Sequence, residues 1–461
     1  MSELVQLRRT RSATSTSGTT PVSAGRNVYI ETYGCQMNIN DTELMAGVLA
    51  ESGFVAVDEP AAADVILLNT CAIREHAEQR VLGRIGELQR HRRTRPDLIV
   101  GVTGCMAQRL GGDLLRDGRG VDLVAGPDGY RKIGELVEAM RLGGVARGQS
   151  LLALDEAEDY EGLTSVRREG VMAWVTVQRG CDHRCTFCIV PYVRGPEKNR
   201  TPESILTEVE DAVGQGYTAV TLLGQTVNSY RWKDWSFTRL LREVSRVPGV
   251  RRVGFTSPHP NDVSEELLEV IASEPTACRQ LHLPAQSGSD RVLKRMVRRY
   301  TVESYLEKVE LARRLVPEIA LSTDLIVGFP GESDEDFEAT LDLVRKVRFE
   351  EAYLYRYSLR EGTPAERFPA GDFVADDVAQ RRLEQLIQLQ RRIQAEVART
   401  EVGSVREVHV EREARSAGDM LGRTDRNRMV VFKGGADLIG QYVTVLLTGT
   451  TGATFSGERA A

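Results

Sequence analysis

Three cysteines in one short segment carry the strongest chemical signal in this chain. Cys181, Cys185 and Cys188 stand in Arg-Gly-Cys-Asp-His-Arg-Cys-Thr-Phe-Cys, a Cys-x3-Cys-x2-Cys spacing. Thiolates are soft ligands, and three placed this closely suit an iron–sulfur cluster or zinc. Three ligands for a four-iron cluster leave one iron open, and an open metal position is where a substrate or cofactor binds. The competing assignment is a zinc knuckle completed by His183. Zinc spacings usually come as Cys-x2-Cys pairs with a second pair downstream, and no such second pair follows here.

Six of the seven cysteines fall into two groups of three. Cys35, Cys71 and Cys105 are far apart in sequence, so only a fold can bring them together. Residues 27–142 alternate apolar strands with helices. Strands are expected at Val28–Glu31, Asp64–Leu68, Leu98–Val102 and Val121–Ala125, and helices at Asp41–Ser52, Glu75 to about Arg92, and Ile133–Arg141. Near-continuous apolar strands alternating with helices imply a parallel sheet covered on both faces. Each of the three cysteines follows a successive strand. Ligands in such sheets sit beyond the carboxyl ends of the strands, so the three meet at one edge. Their contexts, Tyr-Gly-Cys, Asn-Thr-Cys and Thr-Gly-Cys, place small or turn-forming residues where backbone must approach closely. A second three-cysteine cluster site is the inference; three unrelated core thiols are the alternative. Cys278, in Pro-Thr-Ala-Cys-Arg, reads as a packed structural thiol.

The remaining chain supplies further positioning elements. Residues 1–26 read as a disordered tail rich in Ser, Thr, Gly and Arg; Arg8-Arg9 lacks the apolar segment of an export signal. Residues 143–169 look like a linker with one added strand. From 170 to 400 six βα units are expected, with strands at Trp174–Gln178, Ala219–Leu223, Arg252–Thr256, Gln280–Pro284, Ala320–Val327 and Ala352–Tyr357. Six units fit a partial version of the eight-fold parallel barrel, whose sites lie at strand carboxyl ends. Polar and glycine motifs follow these strands: Gly224-Gln225, Ser257-Pro258-His259, Gln286-Ser287-Gly288-Ser289 and Gly328-Phe329-Pro330-Gly331-Glu332. A charged amphipathic helix, Asp377–Thr400, closes the region. Residues 401–461 turn β-rich, at Arg406–Val410, Arg428–Phe432 and Gln441–Leu447, as in a small antiparallel barrel of the oligonucleotide-binding kind.

Charge alone does not announce nucleic acid. The 461 residues carry a formal net charge of −6, so RNA binding would rest on local patches. Candidates are Arg423, Arg426, Arg428 and Lys433; His91–Arg95; and Arg291, Lys294, Arg295, Arg298 and Arg299. No apolar run approaches the roughly 20 residues of a membrane helix. A cytoplasmic setting without membrane association is expected, and with it reduced thiols rather than disulfides.

The loop spacing, with Phe187 directly before the last cysteine, resembles the radical S-adenosylmethionine (SAM) superfamily. In that superfamily the open iron chelates SAM, and an electron cleaves it to a 5′-deoxyadenosyl radical. The whole chain from about residue 27 resembles the methylthiotransferases, which join a three-cysteine domain, a radical SAM barrel and a C-terminal TRAM barrel. Within them it is most similar to the MiaB type, the tRNA-2-methylthio-N6-dimethylallyladenosine synthases. The strings that carry this are Tyr-Gly-Cys-Gln-Met-Asn at 33–38, Cys-Ile-Val-Pro-Tyr at 188–192, Leu-Leu-Gly-Gln-Thr-Val-Asn-Ser-Tyr at 222–230, Gln-Ser-Gly-Ser at 286–289 and Gly-Arg-Thr-Asp-Arg-Asn-Arg at 422–428. Thr226, where the family usually has Asn, and the run Gly195–Arg200 depart slightly, and neither is expected to touch a cluster ligand.

The resemblance implies two 4Fe-4S clusters, one on Cys35, Cys71 and Cys105 and one on Cys181, Cys185 and Cys188. It implies SAM as cosubstrate, sulfur delivery from the N-terminal cluster, and methylthiolation of dimethylallyladenosine 37 in a tRNA anticodon loop. Gln286, Ser287 and Asp324, read as terminating adjacent barrel strands, are the candidates for SAM. A reductant protein is an expected partner and a monomer the expected state. The alternative substrates are another modified adenosine or a ribosomal-protein aspartate. The aspartate family carries Gly-Cys-Pro-Lys-Asn in the first string and lacks Arg-Asn-Arg in the last.

Overall fold

A computed structural model describes residues 26–72, 75–116, 118–168 and 170–460. Most of the N-terminal tail lies outside the described residues. The first unit is a six-stranded sheet, every pairing in it parallel, in the order Val55–Ala56, Asn27–Tyr33, Val65–Thr70, Ile99–Gly104, Leu123–Ala125 and Gln149–Leu151. The central strands Val65–Thr70 and Ile99–Gly104 are buried at every residue, as strands covered by helices on both faces must be. Alternate side chains serve opposite faces: Val65 and Leu67 join one core, Ile66 and Leu68 the other. One short strand of this sheet escaped the sequence reading: Val55–Ala56 is too brief to show a period. Gln149–Leu151 is the added strand expected within 143–169, and it extends this sheet at its edge.

The second unit has the six expected parallel strands. They fall into two three-stranded sheets: Met172–Thr176, Ala219–Leu223 and Arg252–Phe255; and Gln280–His282, Ala320–Val327 and Glu351–Arg356. A single bridge, Val253 to Ala277, stands near the seam. One apolar core spans both halves, from Ala173 to Ile393. Its helices start where hydroxyl caps precede them. Thr201 accepts from the Ser204 amide with Pro202 next in line, and Ser333 and Thr301 form capping boxes, each satisfying amides the first turn leaves open. The helix Asp376–Glu401 then runs along the strand Glu351–Arg356.

The third unit is a closed barrel of five strands, in the order Val405–Glu413, Asp419–Arg423, Met429–Lys433, Thr454–Arg459 and Tyr442–Thr450. Four pairings are antiparallel. The small antiparallel barrel expected is present, with one exception in its pairing: Met429–Lys433 with Thr454–Arg459 is parallel. Parallel closure joins strands separated by a long connection, and no local turn announces it.

Candidate iron–sulfur site

The N-terminal cysteines meet as the sheet topology requires. Cys35 caps the helix Gln36–Glu51 just beyond the first strand. Cys71 follows Val65–Thr70, and Cys105 opens the helix Cys105–Leu110 directly after Ile99–Gly104. The approach needs a glycine. Gly104 has φ +92°, and a Cβ there would stand 2.4 Å from the Thr70 carbonyl oxygen. Asn38 fastens the first corner: its Oδ1 accepts from the Cys35 amide (3.3 Å) and thiol (3.5 Å), and its Nδ2 donates to Asn69 Oδ1 at 3.1 Å. Cys71 and Cys105 are buried and Cys35 half-buried. A hydrogen bond from the Cys71 thiol, aided by the Arg194 charge, brings Cys35 down to about 6 despite burial.

The loop triad sits between the strand Gln178–Arg179 and the helix Val190–Arg194. Gly180 turns the chain at φ +74°, where a Cβ would lie 1.9 Å from the Pro196 carbonyl oxygen. Several bonds pin the loop to its own barrel. The Thr186 amide donates to the Met296 carbonyl (3.1 Å), its hydroxyl to the Arg295 carbonyl (3.0 Å), and the Ala365 amide to the Thr186 carbonyl (2.9 Å). Arg298 Nη1 donates to Cys185 Sγ at 3.3 Å, and the Thr226 hydroxyl to Cys181 Sγ at 3.9 Å. Phe187 meets Phe329 edge-on, ring centroids 6.3 Å apart. Burial pushes the Cys188 thiol up to about 12.

Two expectations about departures from the family pattern fail here. Thr226 touches Cys181. The run Gly195–Arg200 also reaches the triad, since the Cys181 amide donates to the Gly195 carbonyl at 3.2 Å. Both lie far from the loop in sequence order or just beyond it, and tertiary return was not visible in either string.

The two triads adjoin. Cys105, Ala72, Ile189 and Val193 form one apolar cluster, which seats the helix following Cys188 against the N-terminal domain. From that helix Arg194, only 2 % exposed, donates from Nε to Cys105 Sγ at 3.1 Å. Its other face binds Asp41 at 2.5 Å, and Asp41 accepts from Tyr130 (3.3 Å) and Tyr160 (3.5 Å). Beyond them the Arg179 guanidinium stacks 3.8 Å from the Tyr160 ring and pairs with fully buried Asp128, which also holds Lys198 at 3.0 Å. Sequence reasoning missed Arg194 and Asp41, and it placed Arg298 in a patch for RNA, whereas that residue is buried against Cys185. Arg194 lay two residues past a string already singled out, and nothing local marks it as a ligand neighbour.

The SAM candidates are dispersed differently than expected. Asp324 lies within the strand Ala320–Val327, not at its end, and its carboxylate meets His282 Nε2 at 3.3 Å. Gln286 is adjacent: its amide donates to the Asp324 carbonyl at 2.8 Å, and its own φ is +66°. Ser287 is 1 % exposed, and its hydroxyl accepts from the Ser289 amide and meets the Thr340 hydroxyl.

Most of the charge patches expected to meet RNA are engaged within the protein. Half-buried Arg426 pairs with Glu401 of the long helix at 2.8 Å, and buried Arg428 donates to the Glu350 carbonyl at 3.1 Å. Arg423 pairs with Glu411. Arg92 and Arg95 serve Asp122 and the backbone of the Ala61–Ala63 segment. Arg291 pairs with Asp336 and Arg295 with Asp372. Lys433, Arg90, Arg93, Lys294 and Arg299 are exposed, and Lys433 pairs with Asp419.

Comparison with known proteins agrees with this architecture. Residues 175–344 match the radical SAM superfamily, 27–126 the uncharacterized protein family UPF0004, and 399–458 the TRAM domain. The tRNA-2-methylthio-N(6)-dimethylallyladenosine synthase of Chloroherpeton thalassium is 44 % identical over 434 residues, 94 % of this chain and 95 % of that one. That of Carboxydothermus hydrogenoformans is 43 % identical, over 92 % and 97 %. Among solved structures, the radical SAM methyltransferase TsrM from Kitasatospora setae superposes with TM-score 0.56 at 16 % identity, covering 74 % of each chain, a likeness of fold.

Proposed function

We infer the activity from membership: the chain belongs to the tRNA-2-methylthio-N(6)-dimethylallyladenosine synthases, and it methylthiolates N6-dimethylallyladenosine in tRNA. The single observation that best supports this is the junction at Arg194. Six residues beyond Cys188, its guanidinium reaches Cys105, so a cysteine of one triad and the chain leaving the other share one wall.

The residues fit the implied groups. Each triad offers three thiols, with a hydroxyl or a guanidinium directed at sulfur, the kind of donor that tunes a cluster from outside its ligands. Cys181, Cys185 and Cys188 would hold one 4Fe-4S cluster and Cys35, Cys71 and Cys105 the other. When bound, the clusters and SAM supply electron transfer, radical formation and the sulfur and methyl groups. The protein's own work is placement. Asn38 and Gly104 hold the N-terminal thiols at the strand ends. Arg298 and Thr226 hold the loop thiols. Asp324 and Gln286 stand side by side as the groups to bind SAM, whereas Ser287 shapes the backbone through Thr340. A tRNA anticodon loop suits this chemistry, because unpaired bases splay out at lower cost than duplex bases. A reductant protein delivers electrons to a monomeric enzyme in the cytoplasm, where unpaired thiols stay reduced.

Mass spectrometry of tRNA nucleosides tests this. Reconstituted protein with SAM, reductant and dimethylallyladenosine-bearing tRNA should yield the 2-methylthio nucleoside. Formation of 5′-deoxyadenosine with the tRNA unchanged would refute the substrate.

A further inference from the structure

We propose that Arg194 is a positioning residue that makes the N-terminal site a joint product of two domains, and that it sets the reduction potential there. The inference rests on the reading of Cys35, Cys71 and Cys105 as cluster ligands. The three ligand positions come from one sheet, yet Arg194, a buried cation that donates to one of them, comes from the barrel. Arg194 Nε donates to Cys105 Sγ at 3.1 Å. Two more nitrogens face Asp41, at 2.5 and 3.5 Å. Asp41 has no exposed surface and is held in turn by Tyr130 and Tyr160. The guanidinium therefore has a fixed plane and cannot swing away from the sulfur.

The physical consequence follows from charge. Thiolates carrying a metal group form an anionic centre, more so after reduction. A hydrogen bond from a buried cation favours the more negative state and raises the potential. Lysine cannot reproduce the arrangement, since one ammonium lacks the planar fork that serves sulfur and carboxylate together. The loop triad has a counterpart in Arg298, 3.3 Å from Cys185, but that arginine belongs to the barrel itself. Among the described residues, a sulfur-directed donor crosses between the two units at the N-terminal triad, whereas those of the loop triad come from its own barrel. Because Arg194 follows Cys188 so closely, any displacement of the loop moves the donor, and the two sites are mechanically linked.

The experiment uses the full-length chain with Cys181, Cys185 and Cys188 replaced by Ala, reconstituted with iron and sulfide, so that only the N-terminal triad loads. Iron content, the electron paramagnetic resonance spectrum and the midpoint potential are measured with Arg194 intact, then in R194K, R194Q, D41N and D41N/R194Q. The double variant removes both buried charges and so folds even where R194Q alone strands Asp41. R194Q and D41N/R194Q should load iron with a potential more negative than the parent, D41N should stay at or above the parent, and R194K should fall between. A loaded D41N/R194Q chain with the parent's potential and spectrum would overturn the role of Arg194 while leaving the cluster reading intact. A folded parent that binds no iron would overturn the cluster reading itself.

Discussion

The two cysteine triads are built on opposite plans. The loop triad is local: eight residues hold all three thiols, and the bonds that fix the loop, from Thr186, Arg298 and Ala365, lie within the same barrel. The N-terminal triad exists only when three strands stand in register, and its buried cation arrives from the neighbouring domain. A local site survives damage elsewhere, whereas a topological one inherits every weakness of the sheet and of the domain contact.

The contrast breaks most visibly at the domain contact. Asp128 takes both Arg179 and Lys198 with no exposed side-chain surface. Removing one partner of a buried ion pair typically costs about 3–5 kcal/mol. D128L should lose stability of that order in urea denaturation. A loss within experimental error would mean the contact is not needed. A smaller effect is expected inside the N-terminal sheet. In G104A the new Cβ meets the Thr70 carbonyl at a left-handed φ, strain of about 1–3 kcal/mol. Iron analysis should show depletion of the N-terminal site with 5′-deoxyadenosine formation retained; equal loss from both sites would erase the contrast.

A further effect concerns pH. Burial raises Glu43, on the helix that Cys35 caps, to about 7 from its ordinary 4.5. The folded state then keeps a proton that the unfolded state releases. The contribution is present in full below pH 4.5 and is lost as pH rises through 7. E43Q should flatten the stability profile across that window, as measured by denaturation at fixed temperature. A slope identical to the parent's would show that Glu43 ionises normally in the fold.

Legibility in the sequence followed the same division. The loop triad was readable from spacing alone. The N-terminal triad was readable once apolar strands and the cysteine after each had been aligned, because chain order fixes which strand ends share an edge. What stayed hidden was tertiary return. Arg194 and Asp41 are 153 residues apart and Arg298 and Cys185 113 apart, with no period or motif linking them. The basic residues at 426 and 428 looked like phosphate ligands because charge reads as surface, yet they are spent on Glu401 and Glu350. The short strand Val55–Ala56 and the parallel closure of the last barrel were likewise fixed by packing partners rather than by local pattern.

Separable roles for the two triads are most directly tested by two triple variants assayed together for iron, 5′-deoxyadenosine and tRNA nucleosides. Replacing Cys181, Cys185 and Cys188 by Ala should remove half the iron and abolish SAM cleavage. Replacing Cys35, Cys71 and Cys105 by Ala should also remove half the iron, leave SAM cleavage measurable and abolish the 2-methylthio nucleoside. Loss of all iron from the second variant, or continued methylthiolation by it, would contradict an independent sulfur-bearing site at the strand ends.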